Sequence, residues 1–412
     1  MNKKPRVLLL LWHPEDVVAG GFIRIKEFLP YISKETQITV IDNFPSLIHN
    51  KTLPINVRNY KIPGFLKFFY RVNYIIGRVL EWMYTTFSLI IIGMSELRTG
   101  NYDIIYGPTG DNPHIFIAGF VLKKLFPDKK LLLDVLNLEM PEGGTREYFR
   151  NFRNNNVGFL ESLIRTYPLA FIIILEQKLI KSCDFVVTVS PYMKSIISKY
   201  YPKGKIDFTP SGVSIPNNIS LKNKKTINGI YVGRHTKDKG IFDIIRVWGE
   251  VSQKIPNASL VTAGSCQKDI KILLDREIKE KGLEKKIIMK GLVSEDEKWK
   301  LLSSSKYFLH LAYFEPLVPV ITILEALAAG LPVIMYDVTA LNDYTYFRKH
   351  PAIFVVKNKD MEAVIKTILN LESLSKEQAY KIGIEARKLA QQFSWEEIAK
   401  KESNIIQQLC LT

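Results

Sequence analysis

Two cations lie close together in a short turn in the second half of the chain. Arg234 and Lys239 are five residues apart in the segment 233–240, which reads GRHTKDKG. The segment follows a strand-like run and precedes a helix-like one, so both side chains would lie at the carboxyl end of a strand. Two cations at such a place can clamp a diphosphate, and an arginine can bind it through two parallel hydrogen bonds. The alternative interpretation is an ordinary solvated basic loop.

A single acid, Glu325, lies in an otherwise apolar helix-like segment that opens at Pro319 and ends at Gly330. A buried carboxylate is costly unless it is hydrogen-bonded, so a ligand hydroxyl or an internal donor must satisfy it. The N-terminus of the same helix offers free N–H groups and the positive end of the helix dipole to a phosphate. The alternative interpretation is an acid on the helix surface.

Strand-like apolar runs alternate with helix-length segments, which is typical of parallel α/β layers. The runs lie at 7–11, 37–41, 102–106, 131–135 and 185–189, and then at 228–232, 259–263, 287–289, 307–311, 333–336 and 353–356. We therefore predict an α/β protein of two doubly wound, Rossmann-like domains that face each other across a cleft. In such sheets ligands bind beyond the carboxyl ends of the strands. A polar, basic segment at 220–226 predicts the linker between domains 1–222 and 223–384.

Composition and charge narrow the function classes. Of the 412 residues 47% are hydrophobic and 24% are charged, which excludes a disordered or collagen-like chain. The formal net charge of +16 favours an anionic partner: nucleic acid, an anionic membrane surface or a phosphorylated substrate. Three scattered cysteines, Cys183, Cys266 and Cys410, favour neither a disulfide framework nor a clustered metal site.

Two apolar segments of the chain could mark a secretory signal or a membrane span. The run at 7–12 is short and continues into HPED without a small-residue cleavage site, so we do not expect a secretory signal. The segment Val72–Met94 approaches transmembrane length but carries Arg78 and Glu81 near its middle. Because a central arginine is costly in a bilayer, this segment predicts a long amphipathic helix, the alternative being a membrane span.

The segments 233–240 and 319–333, at this separation, resemble the donor-binding half of GT-B glycosyltransferases of the family 4 type. That family has a Gly-Arg-…-Lys-Gly turn, followed by a Glu-Ala-…-Gly-…-Pro-Val helix and strand. Four further segments resemble family features in the same order: Gly20-Gly21, CDFVVTVS at 183–190, TPSGV at 209–213 and FSWE at 393–396.

The resemblance implies roles for several residues. Arg234 and Lys239 would hold the donor diphosphate, and Glu325 would bind the nucleotide ribose. Domain 1–222 would bind the acceptor and 223–384 the donor, with the C-terminal helix, about 385–412, packing back on the first domain. Backbone N–H groups that would cradle phosphate oxygens are those near Gly20 and Gly21 and at Val320, Ile321 and Thr322.

One departure from the family pattern concerns the donor sugar. The family usually places a first glutamate eight residues before the second, and in this chain that position is Leu317. The nearest acid is Glu315, ten residues before Glu325. We therefore expect Glu315 to contact the donor sugar, the alternative being backbone groups of 317–320.

A second departure follows the strand-like run at 131–135, after which many relatives have a histidine. This chain has Asp134 and Asn137 there, and we take both, together with Glu315, as the catalytic candidates. Weaker candidates for contact with the acceptor or the sugar are Asp111, His114 and Glu139. Each of these could instead cap a helix or have a purely structural role.

A basic and aromatic stretch between Tyr60 and Phe87 favours a membrane surface. Lys67, Arg71 and Arg78 are interleaved with aromatic residues there, and no acid occurs between Asn43 and Leu80. Such a segment suits an anionic bilayer. The alternatives are a helix whose aromatics pack in the core, and a nucleic-acid surface, for which no recognition motif is present.

We therefore predict a GT-B glycosyltransferase (EC 2.4) that moves a sugar from a nucleotide-sugar, UDP- or GDP-linked, to an acceptor hydroxyl. By the resemblance it would retain the anomeric configuration, and we expect no metal or other cofactor. The acceptor would be polyprenyl-linked or another glycan precursor, with the protein peripheral on the cytoplasmic membrane face and binding no nucleic acid. The alternatives are a catalytically decayed nucleotide-sugar or anionic-lipid binding module, and a GT-B nucleotide-sugar epimerase.

Overall fold

Two units divide the chain, and the second is inserted before the last helix of the first. Unit 1 comprises Met1–Pro210 and Trp395–Thr412, and unit 2 comprises Ser211–Ser394. The structure, a computed structural model, describes residues 4–12, 20–43, 53–108, 112–135, 138, 144–154, 158–313, 315, 319–338 and 345–411.

The described part of unit 1 contains a seven-stranded parallel sheet in the order β3-β2-β1-β4-β5-β6-β7. Its strands are β1 (Arg6–Leu10), β2 (Gln37–Asp42), β3 (Ile55–Asn59), β4 (Ile104–Pro108), β5 (Lys130–Val135), β6 (Phe185–Thr188) and β7 (Ile206–Phe208). Its helices are α1 (Gly20–Ile32), α2 (Leu66–Val72), α3 (Tyr74–Thr99), α4 (Pro113–Leu125), α5 (Gly144–Asn154), α6 (Phe159–Leu179), α7 (Pro191–Tyr200) and, at the end of the chain, α15 (Trp395–Leu411).

The inner strands of unit 1 are continuous apolar runs because helices cover both faces of the sheet. Val7–Leu10 of β1 and Leu131–Leu133 of β5 are all buried. The two edge strands differ: β3 reads INVRN and β7 reads IDF, and both are half-buried or exposed. Without a buried run neither edge strand was predicted from the sequence.

The described part of unit 2 contains a six-stranded parallel sheet in the order β10-β9-β8-β11-β12-β13. Its strands are β8 (Ile227–Val232), β9 (Leu260–Ala263), β10 (Ile287–Gly291), β11 (Ser305–His310), β12 (Val333–Tyr336) and β13 (Ile353–Val356). Its helices are α8 (Ile241–Lys254), α9 (Lys268–Glu280), α10 (Glu295–Ser304), α11 (Ile321–Ala328), α12 (Thr345–Arg348), α13 (Met361–Glu372) and α14 (Lys376–Gln391).

Each sheet reverses its strand order once, so the prediction of two doubly wound α/β domains is confirmed. The reversal lies between β1 and β4 in unit 1 and between β8 and β11 in unit 2. Ligands of open α/β sheets bind at such a switch point, beyond the carboxyl ends of the strands. In unit 2 the segments that follow β8 and β11 are therefore the expected walls of a site.

The division between the units differs from the predicted boundaries after residues 222 and 384. It falls after Pro210 and after Ser394. The polar segment 220–226 is a loop on unit 2, because the guanidinium of Arg387 donates to the carbonyls of Ile219, at 2.9 Å, and of Ala328, at 2.8 Å. These bonds tie Ile219, the residue before the predicted linker, to α14 and α11. Beyond Ser394 the last helix, α15, packs on α1 of unit 1.

The predicted amphipathic segment Val72–Met94 spans the end of α2 and most of α3, which Asn73 separates by an extended conformation. Among the described residues no helix combines the length and the apolar composition that crossing a membrane requires.

Candidate functional site

The turn between β8 and α8 packs closely against the chain that leaves β11. Gly240, the residue before α8, has a φ of +69°, and a Cβ added there would lie 1.8 Å from the carbonyl oxygen of Leu311. Two residues earlier the carbonyl of Asp238 accepts a hydrogen bond of 2.9 Å from the backbone N–H of Tyr313. Only glycine allows this approach, and it brings the predicted phosphate turn to the switch point of unit 2.

The close packing pairs Lys239 with Glu315, two residues predicted independently. The ammonium of Lys239 donates to the Glu315 carboxylate, and the Nε2 atom of His310, at the end of β11, lies 3.1 Å from the same carboxylate. Glu315 and His310 are both buried. Burial by itself would raise the pKa of Glu315, but His310 and Lys239 together lower it below its usual value. Glu315 is therefore held as an oriented anion.

Arg234 differs from Lys239 in having no such partner. Its side chain is exposed and donates no hydrogen bond to another described residue. Its position is nevertheless fixed, because the hydroxyl of the buried Tyr231 donates to the Arg234 carbonyl at 2.6 Å. A fixed backbone that carries a free guanidinium is suited to bind an anionic ligand through two hydrogen bonds.

His235, between the two cations, has a structural role. Its ring is buried, and its Nε2 lies 2.9 Å from the hydroxyl of Thr262. The ring also contacts Tyr231 edge-on, with centroids 5.5 Å apart. Burial lowers the pKa of His235, although backbone hydrogen bonds partly oppose the shift. The neutral, buried ring therefore stabilises the turn through its contacts with Thr262 and Tyr231.

The second wall of the unit 2 site is the start of α11. Val320 is the residue before the helix, and Ile321 and Thr322 form its first turn. No side chain caps this end, and the first N–H groups of a helix have no intrahelical partner. They can therefore receive a phosphate or carboxylate oxygen.

Glu325 lies inside α11 and is buried, as its apolar neighbours predict. Its carboxylate accepts a hydrogen bond of 2.6 Å from the ammonium of Lys298 on α10, and only 12% of the Lys298 side chain is exposed. Burial would lower the pKa of Lys298, but Glu325 and Glu295 raise it. An internal cation thus satisfies the acid, whereas the sequence left an internal donor and a ligand hydroxyl both open.

Asp134 takes part in a buried ionic network in unit 1. Its carboxylate accepts a hydrogen bond of 2.9 Å from the Nε–H of Arg24. The same guanidinium contacts the carboxylate of Glu402 in α15 at 2.8 Å. Further partners are the hydroxyl of Thr209 and the carbonyl of Pro210, and the Tyr106 hydroxyl donates to Glu402. Burial raises the pKa of both carboxylates, although Arg24 opposes the shift. The network joins α1, β5 and α15, and a catalytic role for Asp134 stays a prediction.

His114 lies in the first turn of α4, in the interior of unit 1. Trp12, which follows β1, contacts its ring edge-on at 4.8 Å between centroids, and the Trp82 ring lies at 6.3 Å. Among the described residues neither ring nitrogen has a hydrogen-bond partner. Burial, with the positive charge of Arg78, lowers the pKa of His114 to about 3, so the ring is neutral at pH 7.

The same cluster contains two charged residues of α3. The Arg78 guanidinium lies 4.8 Å from the ring centroid of Trp12 and 5.7 Å from that of Trp82. The Glu81 carboxylate accepts a hydrogen bond of 3.1 Å from the indole N–H of Trp12 and another from the Tyr70 hydroxyl. Glu81 is therefore buried inside the cluster and removed from the surface of α3.

The remaining predicted residues divide into two groups. Gly20 and Gly21 begin α1, so they do lie at a helix N-terminus. Asp111, Asn137 and Glu139 lie outside the described residues, and their roles stay predictions.

Two residues of the unit 2 site were missed by the sequence analysis. His310 ends β11 five residues before Glu315, and its position at the carboxyl end of a strand is a signal that could have identified it. Lys298 gives no such signal. It is one of four charged residues in the segment 295–298, and only folding brings it to Glu325.

The family resemblance predicts that the site needs no metal ion. Within the described ranges, no group of three or more His, Cys, Asp or Glu side chains is arranged to hold a metal ion. The expectation of a metal-independent site stays a prediction.

Comparison with known proteins links this site to a family. Residues 216–389, which include Arg234, Lys239, Glu315 and Glu325, match the family of glycosyl transferases group 1. An uncharacterized glycosyltransferase of Methanocaldococcus jannaschii is 29% identical over 180 residues, 40% of this chain and 43% of that protein. This match therefore spans less than half of the length of the curated relative.

Solved structures share the fold over nearly the whole chain. Sucrose-phosphate synthase from Thermosynechococcus elongatus matches with a TM-score of 0.71 at 16% identity, covering 98% of this chain and 99% of that one. HepE of Anabaena, in complex with UDP-glucose, matches with a TM-score of 0.69 at 14% identity and the same coverage. At such identities the likeness shows the fold alone, which is the predicted GT-B fold.

Proposed function

We propose that this protein is a glycosyltransferase that moves a sugar from a nucleotide-sugar to an acceptor hydroxyl. The observation that carries the proposal is the switch point of unit 2, where Gly240 brings Lys239 to Glu315 beside the exposed Arg234. The match to glycosyl transferases group 1 covers this same region.

The charges of the site fit the chemistry of such a reaction. When a glycosyl bond to a nucleotide breaks, negative charge develops on the leaving diphosphate. Cations and helix N–H groups that are already in place stabilise this charge without reorganisation. We assign the diphosphate to Arg234, Lys239 and the start of α11, and the ribose hydroxyls to Glu325.

Glu315 would bind the donor sugar. We take it as the counterpart of the first glutamate of family 4 enzymes, with two extra residues before Glu325. His310 and Lys239 orient its carboxylate. On arrival of the diphosphate Lys239 would be shared between the phosphate and Glu315. We propose a retaining reaction without a metal, in which the leaving phosphate accepts the proton of the attacking hydroxyl.

The nucleotide of the donor is proposed to be uridine diphosphate, with guanosine diphosphate as the alternative. Support comes from solved neighbours of the same fold whose structures contain UDP or UDP-glucose. The base and the sugar are recognised by pocket shape, and the binding experiment below is designed to identify them.

The acceptor is proposed to be lipid-linked, at the cytoplasmic membrane face. Along the stretch that contains α2 and α3 the aromatic residues divide: Tyr60 is buried, whereas Phe65, Phe68 and Phe87 are exposed. Because the carboxylate of Glu81 is bonded within the interior of unit 1, the outer side of this basic stretch carries little negative charge. An exposed aromatic and basic surface suits an anionic bilayer.

Donor binding can be tested by thermal unfolding with UDP, GDP, ADP and CMP and with their sugar conjugates. A ligand at about a hundred times its dissociation constant stabilises the protein by roughly 2.7 kcal/mol. We expect one nucleotide to raise the melting temperature of the wild type and to have no such effect on Arg234→Ala. The matched control is Lys237→Ala, which removes a cation from the same turn and should keep the shift.

Two outcomes would count against the proposal. Absence of a shift with every nucleotide, in detergent and with vesicles, would favour a binding module that has lost its donor site. Donor turnover without any acceptor, yielding an epimerised nucleotide-sugar, would identify an epimerase. Retention is tested separately by NMR of the first-formed product, where an inverted anomeric centre would contradict it.

A further inference from the structure

A second apolar surface lies on the same unit as the basic aromatic stretch. Five exposed apolar side chains, here called the α6 stripe, follow the spacing four, three, four, three along α6: Leu160, Ile164, Tyr167, Phe171 and Ile174. Leu160 is 70% exposed and Phe171 is 65% exposed. Residues at this spacing share one side of a helix.

The α6 stripe points away from the sheet. The buried residues of α6 include Ser162, Thr166 and Ile173, each of which lies two positions after a residue of the stripe. Two positions correspond to roughly 200° around a helix, because each residue turns it by about 100°. The stripe therefore lies nearly opposite the side that packs in unit 1.

A comparable stripe runs along α3, comprising Ile76, Val79, Met83, Phe87 and Ile91. It too lies opposite the buried side, which contains Glu81, Thr85 and Leu89.

Both stripes face the same direction. The connections from β3 to β4, from β4 to β5 and from β5 to β6 all run the same way across the sheet. Right-handed crossovers place their helices, α3, α4 and α6, on one face. Helix α4 packs against both others, so the two stripes are about 20 Å apart at ordinary helix spacing.

Helix α5 adds positive charge beside the α6 stripe. Arg146, Arg150 and Arg153 are all exposed, and their spacing of four and three places them on one side of α5. The helix packs on α6, with the rings of Phe149 and Phe159 meeting edge-on at 5.5 Å. Apolar residues flanked by arginines are the pattern of a helix that lies in an anionic membrane interface.

From these observations we propose that the α5–α6 pair is a second membrane-docking surface, which binds an anionic lipid bilayer together with α3. The proposal deepens the membrane-face assignment above and rests on it. It gives unit 1 two apolar contacts, so the bilayer would bind along a plane rather than at a single helix.

A bilayer fits this surface better than a second copy of the chain does. The α6 stripe is about 21 Å long, at 1.5 Å per residue, and one side of a helix is roughly 10 Å wide. The resulting area of about 200 Å² is a quarter of the roughly 800 Å² per partner that stable protein interfaces bury.

The test is co-sedimentation of the full chain with phosphatidylcholine vesicles, with and without phosphatidylglycerol. We expect binding only to the anionic vesicles, and weakening by at least about tenfold in Tyr167→Ser/Phe171→Ser. Arg150→Gln should weaken it by about fivefold. The matched controls in unit 2, Ile272→Ser/Leu292→Ser and Lys285→Gln, change equally exposed residues and should bind as the wild type does.

Three results would overturn the proposal. In the first, Tyr167→Ser/Phe171→Ser binds like the wild type while Met83→Ser/Phe87→Ser does not, which leaves the α3 assignment intact. In the second, the lipid-free wild type is a dimer that the α6 variant dissociates in analytical ultracentrifugation, which identifies a second copy as the partner. In the third, the wild type does not bind anionic vesicles, which removes both membrane assignments while UDP-dependent stabilisation still tests the donor site.

Discussion

The stability of unit 1 should fall between pH 7 and pH 5 because of His114. This ring is buried without a hydrogen-bond partner among the described residues, and Arg78 lies beside it. Its pKa is about 3 in the folded protein and the ordinary value of 6.5 in the unfolded chain. Below pH 6.5 the unfolded state therefore gains a proton that the folded state does not accept, and stability is lost progressively until the pH approaches 3.

The magnitude follows from proton linkage. Each pH unit between the two pKa values changes the free energy of unfolding by about 1.4 kcal/mol. Between pH 7 and pH 5 the contribution of His114 amounts to roughly 2 kcal/mol. Carboxylates titrate further into the acid range, so the informative quantity is the difference between the wild type and His114→Phe, which keeps an aromatic ring but cannot bind the proton.

Hydrogen exchange followed by mass spectrometry is the appropriate assay, because a chain of two units need not unfold in one step. Peptides from β4 and α4 report the opening free energy of unit 1. We expect it to fall by roughly 2 kcal/mol more in the wild type than in His114→Phe. The control His350→Phe changes a histidine of unit 2 and should leave the wild-type slope. Equal slopes for the wild type and His114→Phe would refute the reasoning.

Three further predictions test the packing behind the sites. Gly240→Ala should destabilise unit 2 by about 2 kcal/mol or more and abolish nucleotide-dependent stabilisation, because it adds a clash with Leu311 to the cost of the left-handed conformation. Gly282→Ala, with a φ of +64° and open space around its Cβ, should show only the conformational cost in the same denaturation curves. Arg24→Met should lower the unfolding free energy of unit 1 by about 3–5 kcal/mol, measured by hydrogen exchange, since it removes the cation that pairs with two buried carboxylates. Lys298→Met should weaken nucleotide binding in calorimetry, whereas its exposed neighbour variant Lys300→Met should bind normally; equal affinities would show that Lys298 does not position the ribose-binding acid.

Most of the architecture could be predicted from the chain alone. A strand buried on both faces must be apolar throughout, so the inner strands are recognisable as runs such as Val7–Leu10. The edge strands β3 and β7 lack that constraint and were missed. The predicted boundary at 220–226 lies inside unit 2. Polar residues mark any exposed loop, whether or not two units meet there.

Arg234, Lys239 and Glu325 were candidates by residue type and spacing, and Glu315 by the family resemblance, but their partners in the fold were not predicted. Arg234, Lys239, Glu315 and Glu325 were all recognisable within 216–389. Nothing in the spacing of 76 residues between Lys239 and Glu315 indicates an ion pair. That contact exists because β8 and β11 are neighbours in the sheet and Gly240 lets the following segments touch.

The sequence by itself therefore determined which residue types were available for chemistry and which segments had to be buried. Local properties such as apolar periodicity, glycine and proline positions and the charge of a turn are written along the chain. Only the tertiary structure decided which charges pair with each other. Arg24 pairs with Asp134 and Glu402, and Lys298 pairs with Glu325. The physical reason is that the cost of a buried charge depends on what lies within a few ångströms of it, and that distance is set by strand order and helix packing rather than by separation in sequence.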